Sequence, residues 1–168
     1  MQQHIVGYGS LMSHKSLRKT ISDKRFKPVI VKGYKRIFNL AVSKNSDVLN
    51  LKKSPKSKFN GLMFQIDNQE LNKIKKRESG YELEEVYVYN FKTNKRLNKC
   101  FVVVDHHALD KYRRKPKKDY FILCREAAYH INKKFGEFWD NTTFIYKNKK
   151  VSQWLKKNPS FETIYHQQ

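Results

Sequence analysis

The chain has 168 residues, of which 36 are Lys or Arg and 15 are Asp or Glu, giving a formal net charge of +21. This length predicts a single domain over residues 1–168 with one hydrophobic core. No stretch approaches the ~18 apolar residues of a membrane helix, and the N-terminus MQQHIVGYGS lacks the basic flank and long apolar segment of a signal peptide. We therefore expect a cytoplasmic protein that does not engage a membrane.

The excess of positive charge suggests a polyanionic partner such as nucleic acid. The lysines are scattered along the chain, however, and many stand beside asparagine, as a general compositional bias would also produce. The densest cluster is Lys111–Lys118, KYRRKPKK. A solvated surface and a phosphate-binding surface both account for this cluster, so nucleic-acid binding stays an alternative.

Five runs rich in β-branched and aromatic residues predict strands. The segment Lys52–Lys58, KKSPKSK, predicts a loop between two of them. Strands crowded early and helices placed late favour an α+β fold with a mixed, partly closed, barrel-like β-sheet and flanking helices. The predicted strands are His4–Tyr8, Val29–Val42, Phe59–Ile66, Tyr81–Phe91 and Leu97–Val104.

The first helix is predicted to begin at Asp67, because Asp67 and Glu70 have the spacing of a capping box. The apolar face continues through Leu71 and Ile74 and then reaches Glu78 instead of another aliphatic residue. Glu78 is either a solvated residue at a frayed helix end or a general base whose pKa is raised in a partly apolar pocket. Gly80 is expected to end the helix.

Two more helices are predicted near the C-terminus, over Asp119–Phe135, with Gly136 as its stop, and over Val151–Lys157. Both cysteines lie in apolar surroundings without CxxC spacing. Cys100 and Cys124 are therefore expected to be buried, reduced thiols that bind no metal.

The stretch Ile5–Met12, IVGYGSLM, ends an apolar run on a glycine and a serine. The backbone amides of Gly9, Ser10 and Leu11 could converge on a carboxylate or a developing oxyanion as the strand turns into a helix near Ser13. A plain turn between a strand and a helix would have the same sequence, so both interpretations stay open.

Ordered motifs along residues 5–128 resemble the gamma-glutamylcyclotransferase-like (AIG2-like) family. The resemblance rests on a YGSL turn, a G-Y-x-R-x-F-N strand, a strand similar to N-G-V-L-F, a glutamate that precedes a tyrosine, and a late P-x-x-x-Y. The chain departs from the family pattern at Leu83 and Lys117, where the family often has a basic residue and a serine. The matching residues are Tyr8–Leu11, Gly33–Asn39, Asn60–Phe64, Arg77–Glu78 with Tyr81, and Pro116 with Tyr120.

The resemblance implies an enzyme that converts a small gamma-glutamyl compound to 5-oxoproline and a free amine or amino acid, with no metal and no organic cofactor. Glu78 would be the catalytic acid and base, and Tyr8, Gly9, Ser10, Leu11 and Tyr120 would bind the substrate. A gamma-glutamylamine cyclotransferase and a non-catalytic basic nucleic-acid-binding protein on the same fold are the alternatives. The leaving group and the oligomeric state stay open.

Overall fold

The computed structural model describes residues 3–13, 26–77, 80–108, 114–146 and 148–162. Within these ranges the helices are α1 (Asn68–Arg77), α2 (Lys118–Ile131), α3 (Lys133–Thr142) and α4 (Val151–Trp154), with 3₁₀ turns at Ser10–Met12, Leu155–Lys157 and Pro159–Phe161. The strands are β1 (Gln3–Gly7), β2 (Lys27–Ala41), β3 (Ser46–Ile66), β4 (Glu82–Asn90), β5 (Arg96–Val104), β6 (Lys115–Pro116), β7 (Thr143–Ile145) and β8 (Lys149–Lys150).

Five of the strands form a closed barrel. Around the ring, β3 pairs with β1, β1 with β5, β5 with β4 and β4 with β2, and β2 returns to β3. The β1–β5 pair is parallel and the other four pairs are antiparallel. The short strands β6, β7 and β8 extend the sheet beyond the ring. The predicted α+β class with a mixed, barrel-like sheet is confirmed. The barrel is closed because Val29–Val31 of β2 pair with β4 along one edge and with β3 along the other.

The alternation of side chains along β5 places residues in two separate cores. Val102 belongs to the main core, together with Phe38, Phe121 and Trp139. Val103, on the opposite face, packs in a second cluster with Ile5, Phe64 and Ile66 and with Leu71 and Ile74 of α1. Successive strand residues point to opposite faces. The same strand therefore contributes side chains to the barrel interior and, on its other face, packs against α1.

The loop predicted at Lys52–Lys58 is wrong, because this segment lies inside β3. Lys53 pairs with Tyr34 of β2, and Lys58 pairs with Lys32. Residues 54–57 therefore stand opposite Gly33, whose φ of +92° is readily available only to glycine. Pairing on both sides of this irregularity keeps the polar KKSPKSK segment within the strand.

The start of α1 is confirmed as a capping box. The Glu70 amide donates to Asp67 Oδ1 at 2.8 Å, and the Asp67 amide donates to Glu70 Oε1 at 3.2 Å. Gly80, just beyond the helix, has a φ of +92°, as expected of a residue that ends a helix.

The helix predicted over Asp119–Phe135 is interrupted at Asn132, so it forms α2 and the start of α3. Asn132 is extended, with φ −174°, and its Oδ1 accepts a hydrogen bond from the Phe135 amide at 2.8 Å. This side chain caps a new helix, and Gly136 lies inside α3 rather than at a stop. A Cβ on Gly136 would lie 2.3 Å from the Tyr129 ring, which explains why a glycine stands there.

The other C-terminal predictions are confirmed. The helical piece at Val151–Lys157 consists of α4 and the following 3₁₀ turn, and Cys100 and Cys124 are free, buried thiols. None of the helices in the described ranges combines the length and the apolarity that crossing a bilayer requires.

Candidate functional site

The barrel brings the ends of β1 and β5 to one rim. These strands run parallel, with Ile5 opposite Phe101, so both reach the rim at their C-terminal ends. After β1 the chain forms a 3₁₀ turn at Ser10–Met12, in which the Met12 amide donates to the Gly9 carbonyl at 3.0 Å. The helix predicted to begin near Ser13 would lie outside the described residues. Residues 14–25 lie outside the described part of the chain.

A cavity of about 90 Å³ opens beside this turn. Because roughly 10–15 Å³ is enough to admit a single water, the cavity has room for more than one water-sized group and can hold part of a small molecule. The structure brings all five residues expected to bind substrate to this one cavity. Its lining comprises Tyr8, Gly9, Ser10, Leu11, Val48, Leu49, Tyr81, Val103 and Tyr120.

Close packing explains the glycine at position 9. A Cβ placed on Gly9 would lie 2.7 Å from the Tyr120 hydroxyl oxygen and 3.4 Å from Leu49 Cδ1. The Tyr120 hydroxyl therefore approaches the main chain at Gly9 directly. This approach leaves the backbone itself, instead of a side chain, as the surface that the cavity presents here.

The two tyrosines predicted at the site are held by defined partners. Tyr8 is buried, and its hydroxyl donates to the Val103 carbonyl at 2.5 Å, which links β1 to the end of β5. Burial raises the pKa of the Tyr120 phenol well above its usual value, and the Cys124 thiol one turn further along α2 adds to this shift. Tyr120 therefore stays protonated at neutral pH and can donate a hydrogen bond.

A fully buried arginine lies behind the turn. Arg36 of β2 donates to the Tyr8 carbonyl through Nη1 at 3.4 Å, to Asn60 Oδ1 through Nη2 at 2.7 Å and to Thr143 Oγ1 through Nε at 2.7 Å. Burial lowers the pKa of Arg36 to about 9, which leaves the guanidinium charged at neutral pH. In a planar trans peptide the carbonyl and the following N–H point in opposite directions, so this contact directs the Gly9 N–H away from Arg36.

The catalytic residue expected from the sequence, Glu78, lies outside the described residues, as does Ser79. Two described residues near it in the chain contact the site. Arg77 Nη2 donates to Ser10 Oγ at 3.0 Å, and Tyr81 lines the cavity.

Comparisons with known proteins identify the family of the chain and show which solved structures share its fold. The family described as "ChaC-like protein" matches residues 3–159, which is most of the chain. The chain belongs to the ChaC-like family. The resemblance drawn from the ordered sequence motifs is thereby confirmed.

Three solved structures are similar to this ChaC-like chain. One, named gamma-glutamyl cyclotransferase, is 16% identical with a TM-score of 0.70, and the match covers 96% of this chain and 100% of that one. The uncharacterized protein loc79017 from Homo sapiens is 17% identical with a TM-score of 0.70, covering 95% and 98%. YkqA from Bacillus subtilis is 17% identical with a TM-score of 0.65, covering 81% of this chain and 52% of that one. At these identities the likeness shows a common fold. No curated protein matches the sequence.

In this ChaC-like chain the basic cluster Lys111–Lys118 has a partly structural role. Arg114 Nε pairs with the buried carboxylate of Asp47 at 2.5 Å, and Pro116 is buried. Lys115, Lys117 and Lys118 are exposed. Residues 111–113 lie outside the described part of the chain.

Sequence reasoning missed the role of Arg36 and the cavity wall formed by Val48, Leu49 and Val103. Arg36 did carry a signal, since it lies two residues before Phe38 and so shares its face of the strand. The wall residues carried none, because apolar residues in strands look alike whether they line a cavity or fill a core.

Proposed function

We propose that this ChaC-like protein is a gamma-glutamylcyclotransferase-type enzyme with Glu78 as its general base and acid. The supporting observation is the cavity at the end of β1, whose wall includes Tyr8–Leu11 and Tyr81. Arg77, the residue before Glu78, donates to Ser10 of this wall. Family membership and the shared fold support the same class of activity.

The reaction is an intramolecular aminolysis. The α-amino nitrogen of the substrate attacks the carbonyl carbon of its own gamma-glutamyl amide, forming the C–N bond of the five-membered ring. The bond from that carbon to the leaving nitrogen then breaks. The products are 5-oxoproline and an amine or amino acid, and no water is consumed.

Two proton transfers are required. An ammonium group has no lone pair, so a base must first accept a proton from the α-amino group, and the leaving nitrogen must later receive one. We assign both transfers to the Glu78 carboxylate, a role that typically contributes ~10² to 10⁴ in rate.

In this proposal the turn after β1 binds the anionic groups of the substrate. The amides of Gly9, Ser10 and Leu11 would stabilise the substrate carboxylate or the oxyanion of the tetrahedral intermediate, and losing one such donor typically costs ~10² to 10³ in rate. The charged Arg36 behind the turn and Arg77 beside Ser10 favour an anion at the same place.

The lining of the cavity suits this substrate class. It combines the main chain at Gly9 and Ser10 with tyrosine and apolar side chains, which suit the polar ends and the aliphatic carbons of a gamma-glutamyl group. Such a cavity holds nucleophile and carbonyl of one molecule in a folded arrangement, which contributes much of the large effective molarity of well-oriented groups.

The test is a panel of gamma-glutamyl compounds with amino acid, dipeptide and amine leaving groups, incubated with the full chain. We expect equimolar 5-oxoproline and free amine from at least one compound, measured by mass spectrometry. The preferred leaving group distinguishes an enzyme for amino acid derivatives from a gamma-glutamylamine cyclotransferase.

The matched control is the same compound with its α-amino group acetylated. It keeps the carbonyl and the leaving group but lacks the nucleophile, so a cyclotransferase leaves it intact. Release of amine from the acetylated compound would indicate hydrolysis and contradict the proposal. Failure of every compound in the panel to give 5-oxoproline would do so as well.

A further inference from the structure

The outer face of the β4–β5 hairpin and of neighbouring β2 carries aromatic rings among basic side chains. Tyr87 is 45% exposed, with the Arg96 guanidinium 3.8 Å and Lys99 Nζ 5.1 Å from its ring centroid. Lys32 Nζ lies 3.9 Å from the centroid of the Tyr89 ring. We call these five residues, Lys32, Tyr87, Tyr89, Arg96 and Lys99, the aromatic basic patch.

The patch spans a register shift in the β4–β5 ladder, between Tyr87 and Tyr89. Tyr87 and Tyr89 are two residues apart on β4, so they share a face and stand about 6.6 Å apart along the strand. Lys99 pairs directly with Tyr87 across the β4–β5 ladder, and Arg96 pairs with Tyr89. Lys92 and Lys95, in the turn that joins the strands, are exposed and continue the positive charge.

One acidic residue, Glu85, lies beside the patch. Lys99 Nζ is 3.9 Å from Glu85 Oε1, and the two side chains are 50% and 55% exposed. Exposed pairs of this kind are weak and screened by salt, so Lys99 remains available to a stronger anion such as a phosphate.

We propose that the aromatic basic patch binds single-stranded nucleic acid, with the tyrosine rings stacking on bases and the three basic residues contacting phosphates. Rings on an exposed sheet surface offer bases a π-face without sequence preference, and neighbouring Lys and Arg supply the charge that follows the backbone. The net charge of +21 adds a long-range attraction for such a ligand. This surface is separate from the residues that line the cavity, so its function does not depend on catalysis.

The experiment measures binding of fluorescein-labelled 12-nucleotide oligo-uridine and oligo-thymidine to the full chain by fluorescence anisotropy, from about 50 to 300 mM salt. Tyr87→Ala removes a stacking surface and is expected to weaken binding about tenfold or more. Tyr87→Phe keeps the ring and is the matched control, with affinity near that of the wild type. A difference between the two oligomers shows whether the sugar hydroxyl contributes.

The role of charge is tested with Lys32→Gln, Arg96→Gln and Lys99→Gln combined. This triple variant should reduce the slope of log affinity against log salt by about 2, because each phosphate contact on a single strand contributes about 0.7. The charge-matched control combines Lys149→Gln, Lys150→Gln and Lys157→Gln, all exposed and outside the patch, and should keep the slope.

Three results would overturn the proposal: no binding at about 100 mM salt, equal loss in both triple variants, or wild-type affinity of Tyr87→Ala. Tighter binding to a duplex of the same length would also overturn it, because paired bases are not free to stack on the rings. Thermal unfolding of each variant checks folding, and 5-oxoproline release by Tyr87→Ala should equal that of the wild type.

Discussion

Arg77 Nη2 donates to Ser10 Oγ at 3.0 Å, which joins the last residue of α1 to the turn after β1. The same helix begins with the Asp67–Glu70 capping box and is anchored by buried Leu71 and Ile74. The buried Leu71 and Ile74 and the Arg77 contact therefore hold α1 against the barrel, and the capping box defines its first turn. The proposed base, Glu78, is the next residue of the chain after Arg77, so this contact carries much of the structural support for its assignment.

Gly9→Ala should reduce kcat/KM by about 10² or more. The added methyl would lie 2.7 Å from the Tyr120 hydroxyl, so the turn or the buried Tyr120 ring must shift. A displaced amide donor typically costs this much in rate. Steady-state kinetics on the best substrate of the panel measures the effect.

The double variant Gly9→Ala with Tyr120→Phe is the matched test of this contact. Removing the hydroxyl makes room for the methyl. Adding Gly9→Ala should therefore reduce kcat/KM less in the Tyr120→Phe variant than in the wild type. If Gly9→Ala were as active as the wild type, the close approach of the backbone would have no role in catalysis.

Arg36→Lys should lower both stability and activity. Lysine keeps the charge but cannot reach Tyr8, Asn60 and Thr143 together, and each buried acceptor left without a donor costs about 1 to 3 kcal/mol. Urea unfolding measures the stability loss. Because the Tyr8–Gly9 peptide loses its support, we also expect kcat/KM to fall about tenfold to a hundredfold.

Thr143→Val separates these two effects. It removes the acceptor of Arg36 Nε, whereas the Tyr8 carbonyl is bound by Nη1. We therefore expect the free energy of unfolding to fall by about 1 to 3 kcal/mol, with a smaller loss of kcat/KM. Equal kcat/KM for Arg36→Lys and the wild type, with reduced stability, would show that Arg36 supports the fold alone.

Because the two buried thiols have raised pKa values, we expect the protein to lose stability at alkaline pH. Burial raises the pKa of Cys100 and of Cys124 from about 9 to about 12. Between these values the folded chain keeps two protons that the unfolded chain releases. Their contribution to stability is fully present below pH 9 and is lost as the pH rises from 9 to 12.

This prediction is tested by urea unfolding between pH 8 and 10.5 under reducing conditions. The Cys100→Ala, Cys124→Ala double variant lacks both groups, so its free energy of unfolding should decline less steeply above pH 9. Parallel curves for the two proteins would rule out the thiols as the cause.

Local sequence patterns predicted the elements in which short-range chemistry decides the structure. The capping box at Asp67 and Glu70 and the positive φ of Gly80 follow from side-chain and backbone preferences that need no distant partner. The motif Tyr8–Leu11 likewise indicated a turn at the end of the first strand from its glycine and its position.

The features that the sequence failed to predict depend on contacts between residues far apart in the chain or on a single side chain within a regular pattern. Pairing with β2 holds the polar segment 52–58 in β3, although its composition is that of a loop. The break at Asn132 depends on a side chain that caps α3 within an otherwise helical pattern. The two or three residues of β6, β7 and β8 are too few to show a period.

The most direct test of the proposed mechanism is the rate of 5-oxoproline release by Glu78→Gln. Glutamine has nearly the same size but cannot accept a proton, so we expect kcat to fall at least ~10²-fold while thermal unfolding stays at the wild-type temperature. Glu85→Gln, which removes a 55% exposed carboxylate from β4, is the charge-matched control and should keep full activity. Wild-type kcat in Glu78→Gln would contradict the assignment of Glu78 as the catalytic base.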